Sequence, residues 1–62
     1  MFFVINIEQL QEYKQYNHCP VVSSNANQTL FIVPAVDGFE NYIKQIDTAT
    51  RNRYILTGNW ND

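Results

Sequence analysis

His18 and Cys19 are the only histidine and the only cysteine in the chain, and they are adjacent. A thiolate nucleophile needs an activating neighbour, and an imidazole can serve as one. Adjacent residues, however, rarely bring ring and sulfur into mutual reach, least of all ahead of Pro20, which holds Cys19 extended. No glycine-rich turn lies nearby to supply an oxyanion hole. The simpler reading is a small buried cysteine beside a loop histidine at a helix end. A structural zinc site takes four ligands, so no metal and no cofactor is expected.

The carboxylates Glu8, Glu12, Asp37, Glu40 and Asp47 are the next candidates, as acid and base. Glu8 and Glu12 stand at i, i+4 and would share a helix face. Such chemistry needs one carboxyl in an apolar pocket with a shifted pKa, and so short a chain has little room for a pocket. A solvated face and helix caps are the expected roles. No Walker loop, dinucleotide fingerprint or metalloprotease motif is present. The expectation is therefore no enzyme, with a Cys19-dependent enzyme or redox factor as an alternative.

Arg51-Asn52-Arg53, with Tyr54 and Trp60 close behind, offers a third chemistry. Cations interleaved with aromatics suit the backbone and bases of a single-stranded nucleic acid. A formal charge of −2 and an isoelectric point near 5.0 argue against it, because such domains are usually basic. Nucleic-acid binding through Arg51 and Arg53 is kept as an alternative to protein binding.

The strongest compositional signal is aromatic: nine of 62 residues are Phe, Tyr or Trp. Phe2, Phe31, Phe39 and Tyr42 sit in periodic apolar segments and are expected in the core. Tyr13, Tyr16, Tyr54 and Trp60 have looser positions, and Tyr and Trp are enriched at interface hot spots. These four are the candidate interface. Trp60 is the sharpest of them, since it follows Gly58 outside any periodic segment.

The length implies one domain, residues 1–62, burying only about 60% of its unfolded surface. Domains this small usually need a staple. A lone cysteine excludes an internal disulfide, which leaves good packing or association. The apolar start, Met1 to Ile7, lacks a basic n-region and is too short to cross a bilayer. Together with the single cysteine this points to a cytoplasmic chain with no membrane contact. Eight Asn and five Gln are spread throughout; they suit a neutral hydrogen-bonding surface rather than a low-complexity tract.

The elements follow from pattern. Phe2–Ile5 reads as a strand. Asn6 with Gln9 forms a capping box, opening a helix to about Tyr16 with Ile7, Leu10 and Tyr13 on one face and Asn17 as its stop. Val21–Val22 begins a weak strand, Ser23–Asn27 is a turn cluster, and Thr29–Val33 is an unalternating run expected to be a central strand ended by Pro34.

Residues 37–46 have two readings. Asp37 and Glu40 make a second capping box, with Phe39, Tyr42, Ile43 and Ile46 in helical spacing. Alternatively Asp37-Gly38 is a hairpin turn leading into a strand, Phe39–Asp47. The helix is favoured. Arg53–Thr57 reads as a strand on either, ended by Gly58. The expected fold is α+β: a single antiparallel sheet of three or four strands against one or two short helices. The order is β-α-β-β-α-β with the helices on one face, or else one helix on a β-meander. The expected function is non-enzymatic protein–protein interaction, as a homodimer or as a small inhibitor or adaptor. By analogy alone, such domains suit phages and mobile elements.

Overall fold

The computed structural model describes residues 1–16, 20–58 and 60. Asn17, His18 and Cys19 lie outside the described residues, so the helix stop and the nucleophile–base pair fall there too. The fold is α+β. Strand β1 (Phe2–Asn6) leads into helix α1 (Ile7–Tyr16). Strands β2 (Ser23–Ser24), β3 (Leu30–Pro34) and β4 (Lys44–Ile46) follow, and helix α2 (Thr48–Thr57) comes last. The four strands form one antiparallel sheet in the order β2-β3-β1-β4.

β1 and β3 are the interior strands. Their register pairs Phe3 with Val33, Val4 with Ile32 and Ile5 with Phe31. Side chains alternate along each strand, so every pair faces one of two cores. Phe3, Ile5 and Val33 face a core completed by Leu10 and Tyr13 of α1 and by Phe39. Val4, Leu30 and Ile32 face the other, completed by Ile46, Trp60 and the half-buried Phe2 and Tyr54. Burial on both faces explains why both strands are near-continuous apolar runs. It also puts the helices against opposite faces, and not on one face as the sequence order suggested.

Local chemistry sets the elements. The Asn6 N–H donates to Gln9 Oε1 at 2.9 Å and the Gln9 N–H to Asn6 Oδ1 at 2.8 Å. This reciprocal box turns the chain from strand to helix with no intervening loop. Leu10 and Tyr13 of α1 are buried, whereas Ile7, at the first helical position, is exposed. The β2–β3 hairpin is held by Asn25, the one buried polar residue among those described. Its Oδ1 accepts from the backbone N–H of Thr29 and Leu30, and its Nδ2 donates to Thr29 Oγ1. β2 begins two residues later than the expected start at Val21, although the Val22 N–H still donates to the Ile32 carbonyl at 2.8 Å.

The C-terminal third departs from expectation. Neither a helix over 37–46 nor a strand over 53–57 forms. Asp37-Gly38 is a turn, with Gly38 at φ 91°, and residues 39–43 run irregularly into β4. The helical spacing of Phe39, Tyr42, Ile43 and Ile46 is not used as a stripe. Phe39 and Tyr42 pack on the α1 side, Tyr42 stacking on Phe3 at 4.2 Å, while Ile46 packs on the other. A helix would put them on one face; here the segment wraps around the sheet edge. The helix comes next, between two caps. Asp47 accepts from the Thr50 N–H at 2.7 Å, and Gly58, at φ 65°, closes the end with its N–H on the Tyr54 carbonyl. The β-branched and aromatic content of 54–57 loses to these caps.

Phe31 is half-buried, whereas Ile32 beside it is completely covered. Ile32→Ala is therefore expected to cost about 2–5 kcal/mol, as much as a core of this size supplies. Phe31→Ala should cost less. Chemical denaturation of both variants checks the order, and a larger loss at Phe31 would mean that the α1 side carries most of the stability.

Candidate functional site

The four candidate interface residues separate into two pairs on opposite sides of the sheet. Tyr13 is fully buried under α1, and its hydroxyl donates to the Pro34 carbonyl; it has no surface to offer a partner. Tyr16, one turn on, is 55% exposed and rests edge-on against Phe39. On the other side Tyr54 and Trp60 stack at 5.1 Å with their planes within 10°. Trp60, a candidate interface residue outside any periodic segment, is buried. It closes the second core as a lid behind α2 because that face of the sheet has few other large side chains to cover it. Its Nε1–H finds no partner among the described residues.

The α2 side also collects cations. Arg51 Cζ lies 4.6 Å from the Phe2 ring centroid, and Lys44 Nζ lies 5.2 Å from that of Tyr54. Arg51 is further fixed by Nε and Nη2 donating to Asn52 Oδ1. Arg51, Tyr54 and Trp60 are thus brought together, whereas Arg53 is exposed beside them. Phe2, Tyr54 and Trp60 already have partners, so no aromatic ring there presents an uncommitted face for a base to stack on.

Charge is divided by the sheet. Among the described residues, α1 and the loop against it carry four carboxylates, Glu8, Glu12, Asp37 and Glu40, and one ammonium, Lys14. Asn41 Nδ2 donates to both Glu12 carboxylate oxygens, at 2.8 and 2.9 Å, which ties that loop to α1. On the α2 side Lys44, Arg51 and Arg53 stand against Asp47 alone among the described residues. The Thr50 backbone N–H and then its hydroxyl hold the Asp47 carboxyl below its ordinary value of 3.8, with Arg53 adding a smaller pull.

Two residues missed in the sequence complete the surface. Leu56 is 87% exposed and Ile55 45%, on a helix with no buried residue. At 3.6 residues per turn Leu56 points nearly opposite to Tyr54, which faces the core. The signal was present in the two caps: once Asp47 and Gly58 bound a helix, Leu56 can only lie outside.

Among the described residues no group of three or more His, Cys, Asp or Glu could hold a metal ion, and no helix is long and apolar enough to cross a membrane. No protein-family model, curated protein or solved structure matches this chain.

Two outcomes follow from this geometry. Trp60→Ala removes the lid of the second core and should cost about 3–5 kcal/mol. Its thermal melt is expected to fall steeply; an unchanged melt would return Trp60 to the surface. Asp47 has a lowered carboxyl in the fold, so its contribution is complete above 3.8 and is lost as pH falls through the lower folded value. Circular dichroism should show α2 weakening in that acid range, and Asp47→Asn should flatten this loss.

Proposed function

We propose that this chain is a non-enzymatic interaction module that docks a protein partner through the outer face of α2. The single observation behind this reading is Leu56, a large aliphatic side chain 87% exposed on a helix that buries none of its own residues. Fully burying a leucine is worth about 1.5–3 kcal/mol. Folding of the isolated chain leaves that unused, and a partner would recover it. Ile55 and Ala49 extend the apolar strip, and Arg53 flanks it. Such a strip suits a helix-in-groove or helix-on-helix contact. It serves an inhibitor or adaptor of a larger protein, or self-association, equally well. A single cysteine is compatible with work in the reducing cytoplasm.

The nucleic-acid alternative keeps its cations but loses its stacking platform, since the rings beside Arg51 pack on one another and under Lys44 and Arg51. The protein reading is therefore preferred. A photoreactive residue in place of Leu56 should give a discrete protein adduct in the native host. The same probe in place of Ala26, in the β2–β3 turn, should not. Leu56→Asp should leave the melt nearly unchanged, as surface substitutions do, and should abolish binding of the protein so identified. Equal labelling from both positions would defeat the reading.

A further inference from the structure

We infer that the α2 face docks onto the α1 face of a second copy of this chain, head to tail, so that the protein builds open linear assemblies. The inference rests on the outer face of α2 being a docking surface, as proposed above. What it adds is the occupant, and the argument for that is complementarity within the chain itself.

The α2 face presents Leu56 and Ile55, with Arg53 three residues before Leu56 and Arg51 four before Ile55, each a neighbour on the helix surface. The α1 face presents the opposite set. Glu8, Glu12 and Tyr16 recur at i, i+4, i+8 and so form one stripe along α1. The loop carrying Asp37 and Glu40 packs against that stripe, through Asn41 on Glu12 and Gly38 beside the Tyr16 ring. Tyr16 is an exposed aromatic on the carboxylate stripe, where Leu56 is an exposed aliphatic beside Arg53. One face meets the charge and the apolar requirement of the other.

The commoner two-fold dimer is disfavoured by the same observations. An isologous contact sets each patch against its own copy, which would bring arginines against arginines on the α2 side and carboxylates against carboxylates on the α1 side. A polyanion such as a single-stranded nucleic acid would satisfy Arg51 and Arg53 but offers Leu56 no apolar counterpart. The two faces lie on opposite sides of the sheet, so a heterologous contact between them extends a row and does not close on itself. α2 has 10 residues and is about 15 Å long, which alone falls short of the roughly 800 Å² per partner typical of stable complexes. The association is accordingly weak per contact and depends on concentration.

Sedimentation velocity over a concentration series tests it. The parent should grow past a dimer as concentration rises, and growth should fade as salt goes from about 0.05 to about 0.5 M, where charges are screened within a few ångströms. Leu56→Asp blocks the α2 face and Tyr16→Asp the α1 face; each alone should remain monomeric. Mixed, they should form a 1:1 heterodimer and nothing larger, because each retains the face the other lacks. Glu40→Arg, on an exposed loop residue, replaces Tyr16→Asp should that variant melt early.

A parent that stays monomeric, a series that stops at a symmetric dimer, or variants that fail to complement would overturn the inference. So would an oligonucleotide that binds the parent and the Leu56→Asp protein equally. A monomeric parent whose position 56 still cross-links a different protein would overturn this inference alone and leave the docking face standing.

Discussion

Strands β1 and β3 pair over five positions, and alternate pairs serve two different cores. The rest of the chain is organised by this constraint. A two-sided sheet of this width needs a cover on each face, and the described residues offer two helices and one long loop to provide them. α1 and the 35–42 segment cover one side. The other has only α2, Tyr54 and Trp60. All nine aromatics are used in this division: six on the α1 side, and Phe2, Tyr54 and Trp60 on the α2 side. Because each aromatic can bury about 150–250 Å², a chain whose single cysteine allows no internal disulfide can still close two thin cores.

Legibility in the sequence tracked how local the determining interaction was. The Asn6/Gln9 box, the strand over residues 2–5 and the central run near 29–33 were all readable, since each rests on neighbours in the chain. Region 37–46 was misread because its apolar spacing fitted a helix by coincidence. Its true determinant is tertiary: Tyr42 must reach Phe3 on one face and Ile46 must lie beside Phe2 on the other. Region 53–57 was misread for the opposite reason. Its β-branched and aromatic residues suit a strand, but the Asp47 and Gly58 caps bracket a helix and outweigh the modest penalties of Ile, Tyr and Thr there.

The candidate surface was legible only in part, and that follows from the same errors. With 53–57 taken as a strand, Tyr54 and Leu56 share a face; in a helix they point apart. Tyr13 and Trp60 illustrate a second limit. Loose periodicity in sequence suggested free surface, yet Tyr13 has its hydroxyl on the Pro34 carbonyl and Trp60 is held by Tyr54. A side chain near the end of an element can reach back to the core, and the one-dimensional pattern does not encode that reach.

The asymmetry between the two helices links fold to function. α1 is held by burial of Leu10 and Tyr13, so its inward face is fixed by the core, and its outward face carries Glu8 and Glu12 beside the exposed Ile7 and Tyr16. α2 is held instead by its caps, by the Tyr54–Trp60 stack and by Arg51 over Phe2. None of these contacts uses Ile55 or Leu56. A helix of ten residues is marginal on its own in water, so these anchors must hold it in place before its outer face can act as a surface. One of these anchors, Arg51, is cationic, and with Arg53 it gives the helix that exposes the aliphatics a positive charge. Arg51 thus both holds α2 on the sheet and adds to the charge of that helix. Loss of Trp60 would release both together, because the residue that closes the core is also the one that positions the helix.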